Sequence, residues 1–148
     1  MLDLPTSTLI LTGVIGCVTA YIAIQQSLTA KRKLRLDVFD RRLPVFEDAM
    51  SFAEIVSTKE NITLEEVQKF KFATKSVQFL FNRQTQDYCD KLYMEAFAIH
   101  RGKQQIDSLD EGEERDKSTI LWQERRVWFN DQRKEIPKRF APFLRIRG

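Results

Sequence analysis

The stretch KRKLRLDVFDRR, residues 31–42, carries six basic and two acidic residues and directly follows 27 uncharged ones, residues 4–30. The uncharged segment is most apolar between Leu9 and Ile24. A helix needs about 20 mainly apolar residues to cross the hydrocarbon core of a bilayer. The sequence therefore predicts one transmembrane helix, with its core at about residues 6–28, inside an N-terminal segment 1–30. The side chains expected to form the span are Leu9, Ile10, Leu11, Val14, Ile15, Val18, Tyr21, Ile22 and Ile24.

The alternative for this segment is a cleaved signal peptide, with VTA ending at Ala20 as the small-residue cleavage site. A signal peptide begins with a basic region, and no Lys or Arg precedes the apolar run here. We therefore favour a retained anchor.

The position of the bases predicts the orientation of the chain. Basic residues flanking a span stay on the cytoplasmic side, so the N-terminus should lie outside and residues 31–148 in the cytoplasm. Each base near an anionic surface contributes about 1 kcal/mol to binding. Cys17 in the span and Cys89 in the domain cannot pair with each other, which agrees with a reducing compartment. The bases expected at lipid headgroups after the span are Lys31, Arg32, Lys33 and Arg35.

Residues 31–148 show helical periodicity in four segments. The first runs from Leu36 to Ala53, where apolar residues recur at spacings of three and four, and we expect a kink at Pro44. The second begins at Thr63, which with Glu66 matches a capping box, and its apolar stripe continues to Phe81.

The third segment starts near Thr85, a candidate N-cap, and ends in an acidic turn at residues 107–116. The fourth repeats an apolar residue every seven positions, and we expect Pro137 and Pro142 to disturb its end. Helices joined by short connections predict an all-α, antiparallel up-and-down bundle of about four helices. Its predicted core comprises Leu36, Phe39, Leu43, Phe46, Phe70, Val77, Leu92, Ile99, Trp122, Phe129 and Ile136.

The charges are distributed unevenly along the domain. Residues 43–121 carry ten bases and fifteen acids, whereas residues 122–148 carry eight bases and three acids. In an up-and-down bundle both basic ends would lie near anionic headgroups, with the acidic turn pointing away. The bases expected at headgroups near the C-terminus are Lys138, Arg139, Arg145 and Arg147. The apolar residues between them, Phe140, Phe143, Leu144 and Ile146, could either lie at the membrane interface or complete the core.

No pattern in the sequence predicts catalysis, a cofactor or a metal. The chain lacks the P-loop, the dinucleotide-binding glycine pattern and the H-E-x-x-H zinc motif. Its one histidine, His100, is expected to be a solvated or packed helix residue. No nucleic-acid-binding module is recognisable, so we do not expect nucleic-acid binding.

These features favour a non-enzymatic, membrane-tethered scaffold or adaptor that acts through a protein partner or a homo-oligomer. One alternative is a membrane-perturbing effector whose spans associate through the small residues Thr12, Gly16 and Ala20. A third, weaker hypothesis is a ligand-binding or enzymatic bundle with polar core residues.

Two motifs of the chain are a juxtamembrane K-x-R-L-D-x-F-D-x-R helix and a C-terminal R-F-x-P-F/Y-L ending. In both motifs the chain resembles small uncharacterised bacterial single-pass inner-membrane proteins. The resemblance implies a bacterial inner membrane and a cytoplasmic helical domain, and it supplies no catalytic residue. The matching residues are Lys33, Arg35, Leu36, Asp37, Phe39, Asp40 and Arg42, then Arg139, Phe140, Pro142, Phe143 and Leu144.

Overall fold

The structure is a computed structural model that describes the backbone of residues 4–145 and the side chains of residues 8–145. Within those residues the chain forms helices and no strand, which confirms the all-α prediction. The helices are α1 (Leu4–Thr58), α2 (Leu64–Ala73), α3 (Val77–Leu80), α4 (Arg83–Ser108) and α5 (Glu113–Leu144).

The chain divides into two compact units, Met1–Val38 and Phe39–Gly148. Helix α1 contributes to both, because it continues for 55 residues without an interruption. Pro44 lies inside α1, so the helix does not end there. The kink at Pro44 stays a prediction.

The first unit buries nothing: every described side chain from Thr8 to Asp37 is exposed. Its helix is long and apolar enough to cross a membrane, as judged by length and composition. The hydroxyl groups of Thr12 and Thr19 donate to the carbonyl groups of Thr8 and Ile15, each at 2.8 Å. The two polar side chains therefore find acceptors within their own helix and do not need water.

The second unit has a continuous apolar core, and its contacts show how the helices run. The ring centres of Phe46 and Phe140 lie 5.9 Å apart, and those of Phe52 and Phe129 lie 6.1 Å apart. The later residue of α1 thus contacts the earlier residue of α5. Between α4 and α5, Tyr88 contacts Gln132 and Glu95 contacts Arg125, which is the same opposite order. In both pairs of helices the contacting residues follow each other in opposite sequence order.

Seven of the eleven predicted core residues are buried, namely Phe70, Val77, Leu92, Ile99, Trp122, Phe129 and Ile136. In α1 the prediction was less accurate: Phe39, Leu43 and Phe46 are only partly buried, and Leu36 is 51% exposed. The buried face of α1 is an adjoining one, formed by Val45, Ala49, Phe52, Ala53 and Val56. Leu36 belongs to the first unit, where no described side chain is buried.

The second predicted helix is divided into α2 and α3 by a turn at Thr74. The Thr74 side chain is buried, and its hydroxyl donates to the Phe70 carbonyl at 2.9 Å. Threonine is a poor residue for a helix interior because its hydroxyl offers the backbone this alternative bond. The apolar stripe resumes at Val77, which is why the sequence pattern alone did not reveal the break.

The helix ends were predicted with mixed success. The capping box is confirmed, since Thr63 accepts from the Glu66 backbone N–H and Glu66 accepts from the Thr63 N–H. The N-cap of α4 is Asn82, whose side chain accepts from the Thr85 backbone, so Thr85 itself is not the cap. Helix α5 continues through both Pro137 and Pro142. Fully buried Phe140, between these prolines, anchors this part of α5 to the core.

Candidate functional site

Arg42 joins three helices at one end of the second unit. Its Nε donates to the carbonyl oxygen of Leu80 at 2.7 Å, and its Nη1 donates to that of Phe143 at 3.1 Å. Leu80 is the last residue of α3 and Phe143 the penultimate residue of α5. The final carbonyl groups of a helix lack partners within it and carry the negative end of its dipole. One guanidinium therefore caps the C-terminal ends of two helices.

An aromatic cluster surrounds this arginine. The guanidinium lies 5.6 Å from the centre of the Phe81 ring and 5.5 Å from that of Phe143. Phe81 in turn packs edge-on against Phe140 and Phe143, at 5.1 and 5.4 Å between ring centres. Phe140 is fully buried, and Phe143 and Leu144 are partly buried. Phe140, Phe143 and Leu144 thus contribute to the packing of the second unit; Ile146 lies outside the described residues.

The surface around this cluster is basic. We define the basic end as Arg41–Arg42, Lys75–Arg83 and Lys138–Arg145, three segments that contain no Asp or Glu. The exposed bases there are Arg41, Lys75, Arg83, Lys138, Arg139 and Arg145. The neighbouring carboxylate of Glu135 accepts a hydrogen bond from Lys138 at 2.7 Å, and this bond lowers the pKa of Glu135. The basic end also displays Phe79, which is 82% exposed.

The opposite end of the second unit is acidic. We define the acidic end as residues 107–116, which carry six acids and one base around the connection from α4 to α5. Helix α4 separates the two ends, and its 26 residues span about 38 Å. Lys103 adjoins the acidic end and pairs with Asp107 at 3.2 Å. The second unit therefore carries charge of opposite sign at its two ends.

The predicted headgroup residues divide between the two units. Lys31, Arg32, Lys33 and Arg35 are exposed on the first unit. Lys138, Arg139 and Arg145 are exposed at the basic end of the second, and Arg147 lies outside the described residues. Sequence reasoning missed the contribution of Lys75, Phe79 and Arg83. The available signal was the segment 75–83 itself, which has two bases and no acid.

A groove of about 630 Å³ follows the contact between α4 and α5. Inside it, the hydroxyl of Tyr88 donates to the side-chain oxygen of buried Gln132 at 2.8 Å, and Gln132 donates to the Trp128 carbonyl at 3.1 Å. Burial raises the pKa of Tyr88, so its phenol remains a neutral donor. The guanidinium carbon of Arg139 lies over the Tyr88 ring, 4.4 Å from the ring centre. Because these buried polar groups already satisfy one another, they serve the packing of the two helices.

Cys89 and His100 lie in and beside the core of the second unit. Cys89 is buried, and burial raises the pKa of its thiol to about 12, so the nucleophilic thiolate is not available at neutral pH. His100 is partly buried and makes a 2.8 Å hydrogen bond through Nδ1 to the carbonyl of Ile62. Among the described residues, no three His, Cys, Asp or Glu side chains lie together as a metal site would require.

Three small residues of the apolar helix lie on its open surface. Thr12, Gly16 and Ala20 are exposed, and a Cβ added at Gly16 would meet no atom within 4 Å. Nothing in the described residues covers this stripe, and its role in self-association stays a prediction.

No family model matches the chain, and neither a curated protein nor a solved structure does. The features of the chain that bear on function are therefore the exposed apolar helix of the first unit and the charged ends of the second.

Proposed function

We propose that the chain is a membrane-tethered, non-enzymatic adaptor of the bacterial inner membrane, whose cytoplasmic helical domain, residues 31–148, recruits or scaffolds a protein partner. One observation carries the proposal. In the first unit, residues 4–30 form an uncharged helical segment in which every described side chain is exposed, while the second unit has a complete core of its own. A helix that is apolar on all sides is stable only when another apolar phase covers it.

The exposed area of that helix indicates a bilayer as the covering phase. The nine side chains assigned to the span are 48–72% exposed. Full burial of a large aliphatic side chain contributes about 1.5–3 kcal/mol. Leaving nine such side chains in water would therefore cost a free energy comparable to the whole stability of a typical domain, which is about 5–15 kcal/mol. Lipid removes this cost without requiring any protein contact.

For the domain we propose the antiparallel up-and-down bundle, with α1 bent at Pro44. The opposite contact order of α1 with α5, and of α4 with α5, supports this arrangement. Arg42 and Phe143 lie side by side, so the C-terminal end of α5 returns to the beginning of the domain. In this arrangement Lys138, Arg139 and Arg145 can reach anionic headgroups together with the bases that follow the span.

The proposed topology places the N-terminus outside and the domain in the cytoplasm. Its basis is the six bases within residues 31–42 against none before the span. Reporter proteins fused after Gly148 test it: a reporter active only in the cytoplasm should work, and one active only in the periplasm should not. The reverse result would overturn the orientation.

The adaptor hypothesis is tested by purification of the full chain from membranes in a mild detergent. We expect a stoichiometric protein partner or a homo-oligomer, measured by mass photometry and by mass spectrometry of the bound proteins. The acidic end offers a matched pair of variants for locating the contact. Charge reversal there (Glu113→Lys with Glu114→Lys) is compared with reversal at the basic end (Lys138→Glu with Arg139→Glu). A chain that purifies as a monomer without a partner would contradict the proposal.

The second candidate function is a membrane-perturbing effector formed by self-associating spans. The open stripe around Gly16 favours it, because small residues let two helices approach closely in lipid. The uncharged span argues against a water-filled pore. Dye release from vesicles separates the two functions: an effector should release dye, and Gly16→Ile should abolish the release. A third candidate, a ligand-binding or enzymatic bundle, is less favoured because the polar groups of the α4–α5 groove already have partners.

A further inference from the structure

Phe79 is the most exposed large apolar side chain that the structure describes, at 82%. It lies in α3, a helix of four residues between two connections of the domain. Single exposed apolar residues are common on soluble proteins and need no explanation by themselves. The surroundings of Phe79 distinguish it from such cases.

The fold holds Phe79 in its exposed position. Val77, two residues earlier, is buried, and Leu80 and Phe81 pack against the core. The Leu80 carbonyl accepts the 2.7 Å hydrogen bond from Arg42, and the Phe79 backbone N–H donates to the Ser76 carbonyl at 3.0 Å. With its neighbours packed inward, α3 directs the Phe79 ring away from the domain.

The charges around Phe79 suit an anionic surface. Lys75 and Arg83 lie four residues before and after it, both exposed, with no acid between them. The aromatic cluster of Arg42 connects α3 to the end of α5, where Arg139 and Arg145 are exposed. An aromatic ring between flanking bases is typical of segments that lie in the interfacial layer of a membrane. There the ring enters the acyl boundary and the bases bind phosphate groups.

The chain itself keeps this surface close to the bilayer. Arg42, whose side chain contacts α3, lies only twelve positions after Ala30, the end of the uncharged segment. Even a fully extended chain of this length spans only about 40 Å. A basic, aromatic surface tethered this closely samples the headgroups at high local concentration.

We propose that Phe79, with Lys75 and Arg83, forms a second membrane contact, in which the ring inserts at the headgroup boundary of an anionic bilayer. This inference rests on the proposed anchor and adds to it an orientation for the domain. With the basic end against the lipid, the acidic end faces the cytoplasm, where it is accessible to a partner protein.

The test measures the depth of position 79 in the full chain. Phe79→Cys in a Cys17→Ser background is labelled with a nitroxide and reconstituted into vesicles of phosphatidylcholine and phosphatidylglycerol. Cys89 can stay, because it is only 3% exposed. Collision rates with oxygen, which concentrates in lipid, and with a water-soluble nickel chelate are then compared. The matched control is Ile120→Cys, a 57% exposed apolar position on α5 near the acidic end.

We expect a several-fold higher ratio of oxygen to nickel collisions at position 79 than at position 120. Charge reversal of the flanking bases, Lys75→Glu with Arg83→Glu, should bring position 79 down to the ratio of the control. Equal ratios at 79 and 120 in vesicles that carry the protein would overturn the second contact while leaving the anchor intact. Failure of the protein to float with the vesicles would overturn the anchor and the inference with it.

Discussion

Helix α1 contains two segments of similar apolar content with opposite surroundings. Between Leu9 and Ile24 every side chain is exposed, whereas between Val45 and Val56 one face is buried. The earlier segment is apolar on all sides, and the later one alternates apolar with charged residues such as Glu47, Asp48 and Glu54. Apolar content alone therefore does not decide what a helix packs against. The angular distribution of the apolar residues does.

This difference separates two sources of stability. The segment in the second unit is covered by α2 and α5, through the contacts of Phe52 with Phe70 and Phe129, so its stabilisation is internal to the chain. The segment in the first unit has no cover among the described residues, so its stabilisation has to come from outside. The following experiments test whether the two segments are independent.

Removal of residues 1–30 should have the largest effect. We expect the shortened chain to move completely from the membrane pellet to the soluble fraction, because the only long uncharged segment is gone. The midpoint of its urea unfolding should equal that of the full chain in detergent, since the core lies wholly after residue 38. A shortened chain that unfolds at lower urea would show that the two segments depend on each other.

Phe129→Ala should have the next largest effect. The Phe129 ring, on α5, is fully buried and packs against Phe52 of α1. Truncation of a buried Phe lowers the free energy of unfolding by about 3–5 kcal/mol, through lost burial and the cavity left behind. Urea denaturation measures the loss in free energy of unfolding. Val127→Ala, at a 63% exposed position on the same helix, is the control and should stay within about 0.5 kcal/mol. A loss below about 1 kcal/mol for Phe129→Ala would contradict the packing of α5.

Periodicity predicted the parts of the fold that depend on repeated spacing. The spacing of seven residues predicts that Trp122, Phe129 and Ile136 lie in the core, and all three are buried. The same method failed for Leu36, because the pattern of apolar residues extends beyond the part of α1 that has neighbours. Spacing shows which residues share a face, but not where along a helix the packing begins.

The basic end could be predicted only in part. Bases at the C-terminus were visible as a local excess of charge. The contribution of Phe79 was not, because it depends on the break at Thr74 and on the contact between Arg42 and Leu80, which are 38 residues apart. Contacts between residues so distant in sequence leave no spacing pattern. The capping box at Thr63, by contrast, is local and was read directly from the sequence.

Arg42→Met tests the capping of two helices by one side chain. We expect the free energy of unfolding to fall by about 1–3 kcal/mol, because two carbonyl acceptors lose their donor. Arg42→Lys keeps the charge but cannot donate to the Leu80 and Phe143 carbonyls in the same fork geometry, so an intermediate loss is expected. Arg41→Met is the control at an exposed neighbouring position. Equal losses for the 41 and 42 variants, measured by urea unfolding, would show that charge density at this end matters and the specific contacts do not.

The smallest effect is expected at the start of α2, where Thr63→Ala removes the side-chain half of the capping box. Loss of an N-cap typically costs about 1 kcal/mol, because a backbone N–H at the helix start loses its acceptor. Here that N–H belongs to Glu66, at 3.2 Å from the Thr63 hydroxyl oxygen. Thr58→Ala is the matched control, since the Thr58 hydroxyl bonds only to the Glu54 carbonyl of its own helix, and it should leave stability almost unchanged.

The pH dependence of the Thr63→Ala effect identifies its cause. Burial alone would raise the pKa of Glu66, but hydrogen bonds from Lys59 and Thr63 outweigh it and lower the pKa below its ordinary value of 4.5. A carboxyl whose pKa is lower in the folded state stabilises the fold above its unfolded pKa and loses that contribution as the pH falls through the folded value. The difference between the original chain and Thr63→Ala should therefore be constant near neutral pH and shrink below about pH 4.5. A difference that persists in acid would assign the whole effect to the hydroxyl–backbone bond and none to the charge of Glu66.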